Sequence, residues 1–152
     1  MLAVSVYLLL VVFIDATVSQ TTMPTYAECP SVNPGYIVDD NHVTLSAGCY
    51  HSMGSHRVFP AVNRVNFRGE IDWDLWEAAG SAEQIIVKCA KTALDRRFYS
   101  FGVEFYGECD MGDTPDLTQG KVTPADGCQK CSYDVGGANA AVVYHIFRWY
   151  TE

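Results

Sequence analysis

The strongest periodic pattern in the chain is helical and begins near Ser81. Ser81 and Gln84 have the spacing of a capping box, and Arg96 and Arg97 suit a last turn, where cations complement the helix dipole. Apolar residues recur between these ends at intervals of three and four, which predicts one helix with a single buried face. This face consists of Ile85, Ile86, Cys89, Ala90, Ala93 and Leu94.

The segment after this helix alternates with a period of two, which is typical of a strand. Phe101, Val103 and Phe105 share one face and are expected to pack against the helix. Glu104 and Tyr106 fall on the opposite face, which we expect to meet solvent. This segment ends in Gly-Glu-Cys at residues 107–109.

Shorter apolar runs predict the rest of a sheet. The fold class is therefore α+β: a small disulfide-stabilised domain with one helix packed on a short antiparallel sheet. A turn is expected at residues 39–41, where Asp-Asp-Asn stands. Glycine and proline predict a polar loop over residues 110–127. The further strands are predicted at residues 36–38, 42–45, 61–67 and 140–147.

The first residues have the pattern of a secretory signal peptide. Residues 1–14 are almost wholly apolar and lead into small or polar residues, with cleavage expected after Ser19. The apolar run is shorter than the roughly 20 residues that span a bilayer, although an uncleaved anchor is the alternative. The chain then divides into a signal peptide (1–19), an extended arm rich in Thr, Pro and Ser (20–35) and a single domain (36–152). We expect a secreted, extracellular protein.

The cysteine content agrees with that compartment. An even number of cysteines in a secreted chain predicts disulfides, and the sequence leaves several pairings open. A pair between Cys89 and Cys109 is favoured, because the helix and the following strand can pack face to face. All six cysteines follow the signal peptide, at Cys29, Cys49, Cys89, Cys109, Cys128 and Cys131.

The formal charge of −8 limits the partners further. An acidic chain is poorly suited to nucleic acid or to an anionic membrane surface. It remains compatible with a cation such as calcium or with a mineral surface. Asp110, Asp113 and Asp116 are spaced loosely like a calcium loop but lack its full ligand set.

Several short motifs follow one another along the chain: Gly48-Cys49-Tyr50, Arg57-Val58-Phe59, Cys89, Phe101-Gly102-Val103-Glu104, Gly107-Glu108-Cys109, Cys128-Gln129-Lys130-Cys131, Gly136-Gly137 and Val142-Val143-Tyr144. In this order they resemble the WSC domain, and more closely its relatives in secreted proteins of marine invertebrates. The resemblance runs from Ala47 to Ile146. It implies an extracellular, non-enzymatic module that binds glycans or matrix components, as in a skeletal organic matrix. Ala93, Met111 and Val135 stand where the family has cysteines, and Cys29 would restore an even count.

A glycan site needs an exposed ring for stacking and polar groups that orient the sugar. Tyr99, Glu104 and Tyr106 could supply both on the outward side of the predicted strand, and they are the candidate ligand-binding residues. The alternative is that the two rings complete the core.

An enzyme is the competing hypothesis. Glu70, Asp72 and Asp74 alternate as on one strand face, which resembles the Glu-x-Asp-x-Glu signature of laminarinase-like glycosidases. Asp74 stands where that signature has Glu, so the same stretch also fits an acidic edge whose Trp73 and Trp76 pack inward. We therefore predict no catalytic residues.

No cofactor or metal site is predicted. The cysteine pair at residues 128 and 131 could bind zinc in a cytosolic protein, whereas a secreted chain favours disulfides. The histidines, His42, His51, His56 and His145, are scattered along the chain.

Overall fold

A computed structural model describes residues 34–123, 126, 127 and 130–149. The predicted signal peptide, nearly all of the arm, and both Cys29 and Cys128 lie outside these residues. The described strands are β1 (Gly35–Asp39), β2 (His42–His51), β3 (Val65–Asn66), β4 (Ser100–Glu104), β5 (Glu108–Gly112), β6 (Cys131–Ser132), β7 (Val135–Gly136) and β8 (Ala140–Arg148). The helices are α1 (Trp73–Ala79) and α2 (Glu83–Asp95), and short 3-10 turns span Ala61–Asn63 and Arg68–Glu70.

Six strands form one antiparallel sheet in the order β1-β2-β8-β4-β5-β3, and β6 pairs with β7 in a separate hairpin. The α+β class is thus confirmed, with two α-helices in the described part of the chain where one was predicted. None of the described helices has the length and apolar character needed to cross a membrane.

The predicted apolar stripe of α2 packs on one face of the sheet. Five of its six residues are buried and Leu94 is partly buried. The helix starts later than predicted, with Ala82 as its N-cap residue. The Ser81 hydroxyl instead accepts a hydrogen bond from the Glu83 amide at 3.2 Å and pairs with the Tyr36 hydroxyl at 3.1 Å.

The opposite face of the sheet is also covered, which the alternating pattern did not predict. Val58 and Phe59 are buried there in a second, smaller core with Tyr50, Ala141 and Val143. This packing depends on bare backbone in β4, because a Cβ on Gly102 would lie 3.3 Å from the Phe59 ring. All five residues of β4 are therefore buried, and Glu104 does not face solvent.

Three other predictions need correction. Residues 61–67 form a strand only at Val65–Asn66, because 3-10 turns lie on either side. Phe105 lies beyond the end of β4, in a turn, and is not a strand residue. Residues 110–112 belong to β5 and not to the polar loop.

Two disulfides join the elements. Cys89 of α2 bonds Cys109 of β5, as predicted, and both are fully buried. Cys49 of β2 bonds Cys131 of β6. All four cysteines within the described residues are paired.

Candidate functional site

The structure separates the three predicted ligand residues. Tyr99 precedes β4 and is 56 % exposed, whereas Tyr106 follows its other end. The five residues of that strand span about 17 Å at roughly 3.3 Å each. Glu104 is only 2 % exposed. The structure therefore does not gather these three side chains on one exposed surface.

Glu104 is held in a buried ionic network. Its carboxylate accepts hydrogen bonds from the Ser52 hydroxyl, from Arg57 Nη1 at 3.0 Å and from Arg64 Nη2 at 3.0 Å. Burial raises the pKa of Glu104, and the charge of Asp110 adds to this, while the Ser52 hydrogen bond and the two guanidinium groups oppose it. These contacts give Glu104 a role in joining segments of the chain.

Arg64 is the centre of the same network. Its Nε donates to Asp110 Oδ1 at 2.7 Å, its Nη2 donates to the other Asp110 oxygen, and its Nη1 donates to Glu108. Hydrogen bonds to Asp110 raise the pKa of Arg64 further above its already high ordinary value. A guanidinium suits this position because its planar fork can bind a carboxylate through two bonds.

Tyr106 belongs to a different group, which we call the aromatic platform: Trp73, Trp76, Tyr106 and Tyr133. Trp76 is buried at its centre, with ring centroids 5.4 Å from Trp73, 6.4 Å from Tyr106 and 5.9 Å from Tyr133. The other three rings remain exposed by 50 %, 36 % and 46 %, in the order Trp73, Tyr106, Tyr133. The platform thus presents three partly exposed rings around one core ring.

Helix α1 supplies both tryptophans. Asp72 caps its start by accepting a hydrogen bond from the Leu75 amide at 3.0 Å, and Gly80 ends it in the left-handed conformation at φ 61°. Residues three apart lie on the same helix face. Trp73 and Trp76 therefore adjoin, and only Trp76 reaches the core.

The tyrosines stand at the tips of two hairpins. Tyr106 lies between β4 and β5 with φ 64°, and Tyr133 lies between β6 and β7 with φ 55°. Both are in the left-handed region, which non-glycine residues rarely adopt. The hairpins are tied together, because the Tyr106 amide donates to the Gly136 carbonyl at 3.0 Å.

Further bonds fix the second hairpin to the domain. The Tyr133 carbonyl accepts from the Ala82 amide at 3.2 Å, and the Tyr144 hydroxyl donates to the Asp134 carbonyl at 2.8 Å. Burial raises the pKa of Tyr144, so its hydroxyl stays a donor at neutral pH. The platform consequently rests on a backbone held from several sides.

The carboxylates of the glycosidase hypothesis do not share a strand face. Glu70 ends a 3-10 turn and binds Lys88, Asp72 is the cap of α1, and Asp74 lies in its first turn. The inward position predicted for Trp76 is confirmed, whereas the one predicted for Trp73 is wrong because half of its surface is exposed.

Within the described residues, no group of three or more His, Cys, Asp or Glu side chains is arranged to hold a metal ion. Of the three loop aspartates, Asp110 is bound to Arg64, and Asp116 accepts from the Thr118 hydroxyl at 2.6 Å. Hydrogen bonds from that hydroxyl and from the Thr118 amide lower the pKa of Asp116.

Sequence reasoning missed Tyr133 as a platform residue. Two-residue hairpin loops with positive φ usually carry Asn-Gly or Asp-Gly, and Tyr-Asp gives no such signal. The available signal for the platform was the spacing of Trp73 and Trp76, because residues three apart share a helix face but lie on opposite faces of a strand.

Comparison with protein-family models found no match to this chain, and comparison with curated proteins found none either. The resemblance to the WSC domain stays a prediction that rests on the motifs quoted above.

Proposed function

We propose that this protein is a secreted, non-enzymatic module that binds a glycan of the extracellular matrix through the aromatic platform. The observation that carries the proposal is the exposure of Trp73, Tyr106 and Tyr133 around the buried Trp76. Sugars present apolar C–H faces, and such faces stack on exposed rings. Exposed aromatic rings gathered in one place mark a binding surface more often than rings scattered singly.

The backbone under the rings supports the same interpretation. Left-handed backbone at a non-glycine residue costs about 1–3 kcal/mol and tends to persist at functional sites. Tyr106 and Tyr133 both adopt it, at the tips of two hairpins that meet over Trp76. Both rings also pack edge-on against Trp76, so they lose less conformational freedom than unsupported rings when a ligand stacks on them.

The resemblance to the WSC domain agrees with this function. The platform lies inside the stretch that carries the resemblance, and that family is expected to bind carbohydrate. Two disulfides in the described residues agree with an oxidising compartment. A module of this kind would attach to, or form part of, an extracellular organic matrix.

The test is a glycan array with the mature chain, followed by titration of any ligand found. Trp73→Ala and Tyr133→Ala should each weaken binding by about fivefold to a hundredfold, if a sugar stacks on an aromatic ring as strongly as a nucleic-acid base does, at roughly 1–3 kcal/mol. Tyr99→Ala is the matched control, because Tyr99 is at least as exposed as the two test residues and lies beyond the other end of β4. Silence across the array, or an equal loss in Tyr99→Ala, would overturn the proposal.

A further inference from the structure

The two tryptophans of the platform lie in an acidic stretch of the chain. Residues 69–87 contain no Lys, Arg or His. Every acidic side chain in this range is exposed. These residues are Glu70, Asp72, Asp74, Glu77 and Glu83.

Most of these charges are not neutralised by the protein. Glu70 binds Lys88, and Asp72 caps α1. Asp74 and Glu77 have no ion pair with any residue that the structure describes. Glu77 is four residues after Trp73, which puts its carboxylate on the helix face that presents the exposed ring.

Nearby cations do not offset this charge. The Arg68 guanidinium lies 5.7 Å from the centroid of the Phe105 ring and 3.7 Å from Glu108, so it is already shared with a carboxylate. Lys88 is similarly engaged with Glu70 and with the Phe67 ring. Lys130 belongs to the segment before β6, outside the 69–87 stretch, and is one cation against the five carboxylates of that stretch.

We infer, on the basis of the proposed glycan-binding function, that the ligand is an amino-sugar polymer with free amines, such as β-linked glucosamine. A protonated amine beside Trp73 would meet a carboxylate from Glu77 or Asp74 and the face of an aromatic ring. Rings attract cations through their quadrupole. Sulfated or uronic-acid glycans would face repulsion at the same surface, in a chain whose net charge is already −8.

Each contact with a protonated amine should add only a moderate preference for the free-amine polymer over a neutral one. These contributions add up along the polymer. An exposed ion pair or an exposed cation–π contact changes an equilibrium constant only about two- to fivefold. Several amines along one oligomer should together give a preference of roughly tenfold. Because the charges are exposed, that preference should fall as salt is added.

The experiment is calorimetric titration of the mature chain with two oligomers of equal length, one of glucosamine and one of N-acetylglucosamine. The titrations are run at mildly acidic pH, at low and at high salt. A heparin fragment serves as the sulfated probe. We expect tighter binding of the glucosamine oligomer, loss of its advantage at high salt, and no binding of heparin.

Paired variants then locate the preference. Glu77→Gln with Asp74→Asn should lower the affinity for the glucosamine oligomer more than the affinity for the N-acetylated oligomer, and so remove the advantage of the free amine. Asp40→Asn with Asp113→Asn makes the same change in net charge at exposed sites outside the 69–87 stretch and should preserve the advantage. Trp73→Ala should weaken binding of both oligomers.

The outcomes distinguish this inference from the proposed function. Equal binding of both oligomers, lost together in Trp73→Ala, would overturn the inference and leave glycan binding by the platform intact. Loss of the preference in the control pair, or tighter binding of heparin, would also overturn the inference. Failure of every glycan to bind would overturn both.

Discussion

At the scale of single residues, the two tyrosine tips contrast with the usual choice for their positions. Ser132 pairs with Val135, which leaves Tyr133 and Asp134 as a two-residue loop with φ of 55° and 66°. Asn and Gly are preferred in such loops because they adopt positive φ at low cost. A tyrosine at this position places a ring at the surface, but it adopts positive φ at a higher cost than Asn or Gly would.

This contrast predicts that Tyr133→Asn separates stability from binding. Asparagine relieves left-handed strain, while loss of the ring removes an aromatic contact with Trp76 worth about 0.5–1.5 kcal/mol. We therefore expect the free energy of unfolding in urea to change by less than about 1 kcal/mol, with glycan affinity falling about tenfold.

Tyr133→Phe is the control for this variant, because it keeps the ring and the strain. Its stability should match that of the natural chain, and its stacking should be retained. A loss of several kcal/mol in Tyr133→Asn would show that the tyrosine is needed for folding, and it would contradict this assignment.

At the scale of elements, the ionic network joins segments that are far apart in the chain. Arg64 follows the 3-10 turn at Ala61–Asn63 and binds Glu104 of β4 and two residues of β5, Glu108 and Asp110. Arg57 brings the segment after β2 to the same carboxylates. The second face of the sheet is thus covered by these ion pairs as well as by the packing of Phe59.

Arg64→Met is predicted to destabilise the domain by about 3–5 kcal/mol, because Glu104 and Asp110 would remain buried with too few partners. Arg68→Met is the matched control. Arg68 is exposed and its nearest carboxylate, Glu108, is 3.7 Å away, so its loss should cost less than about 1 kcal/mol. Denaturant unfolding measures both, and similar values for the two variants would show that the network contributes little.

Elements whose residues repeat regularly over a long enough segment could be predicted from the sequence. Features that depend on packing between residues far apart in the chain could not. The stripe of α2 and the alternation of β4 arise from neighbouring residues, so both were visible in the sequence. The cover on the other side of β4 depends on Gly102 and Gly112 lying under Phe59, which is far away in the chain. Glu104 was accordingly predicted to be outward and is buried.

The stretch from Asp72 to Glu77 shows a second kind of ambiguity. Acidic and apolar residues alternate at its start, which suggests a strand, whereas Trp73 and Trp76 have helical spacing. The residues at its two ends favour the helix, because Asp72 caps the first turn and Gly80 ends the last one. A helix of seven residues is too short for its period to be clear from the sequence alone.

At the scale of the whole molecule, the two described disulfides have different partners. Cys89–Cys109 joins α2 to the sheet within the main core. Cys49–Cys131 joins β2 to the hairpin that carries Tyr133 at its tip. The first therefore supports the core, and the second fixes one ring of the platform relative to the sheet.

Removal of each bond should separate these roles. The residues joined by Cys89–Cys109 are 20 apart and those joined by Cys49–Cys131 are 82 apart, so chain entropy predicts losses of about 3 and about 4.5 kcal/mol. We expect Cys49→Ala with Cys131→Ala to lower glycan affinity in conditions where the domain is still folded, because the Tyr133 hairpin gains freedom. Cys89→Ala with Cys109→Ala should retain that affinity although the domain unfolds more easily. Unfolding and glycan titration on both pairs test this, and equal losses of affinity would show that the platform depends on the core as a whole and not on the hairpin linkage.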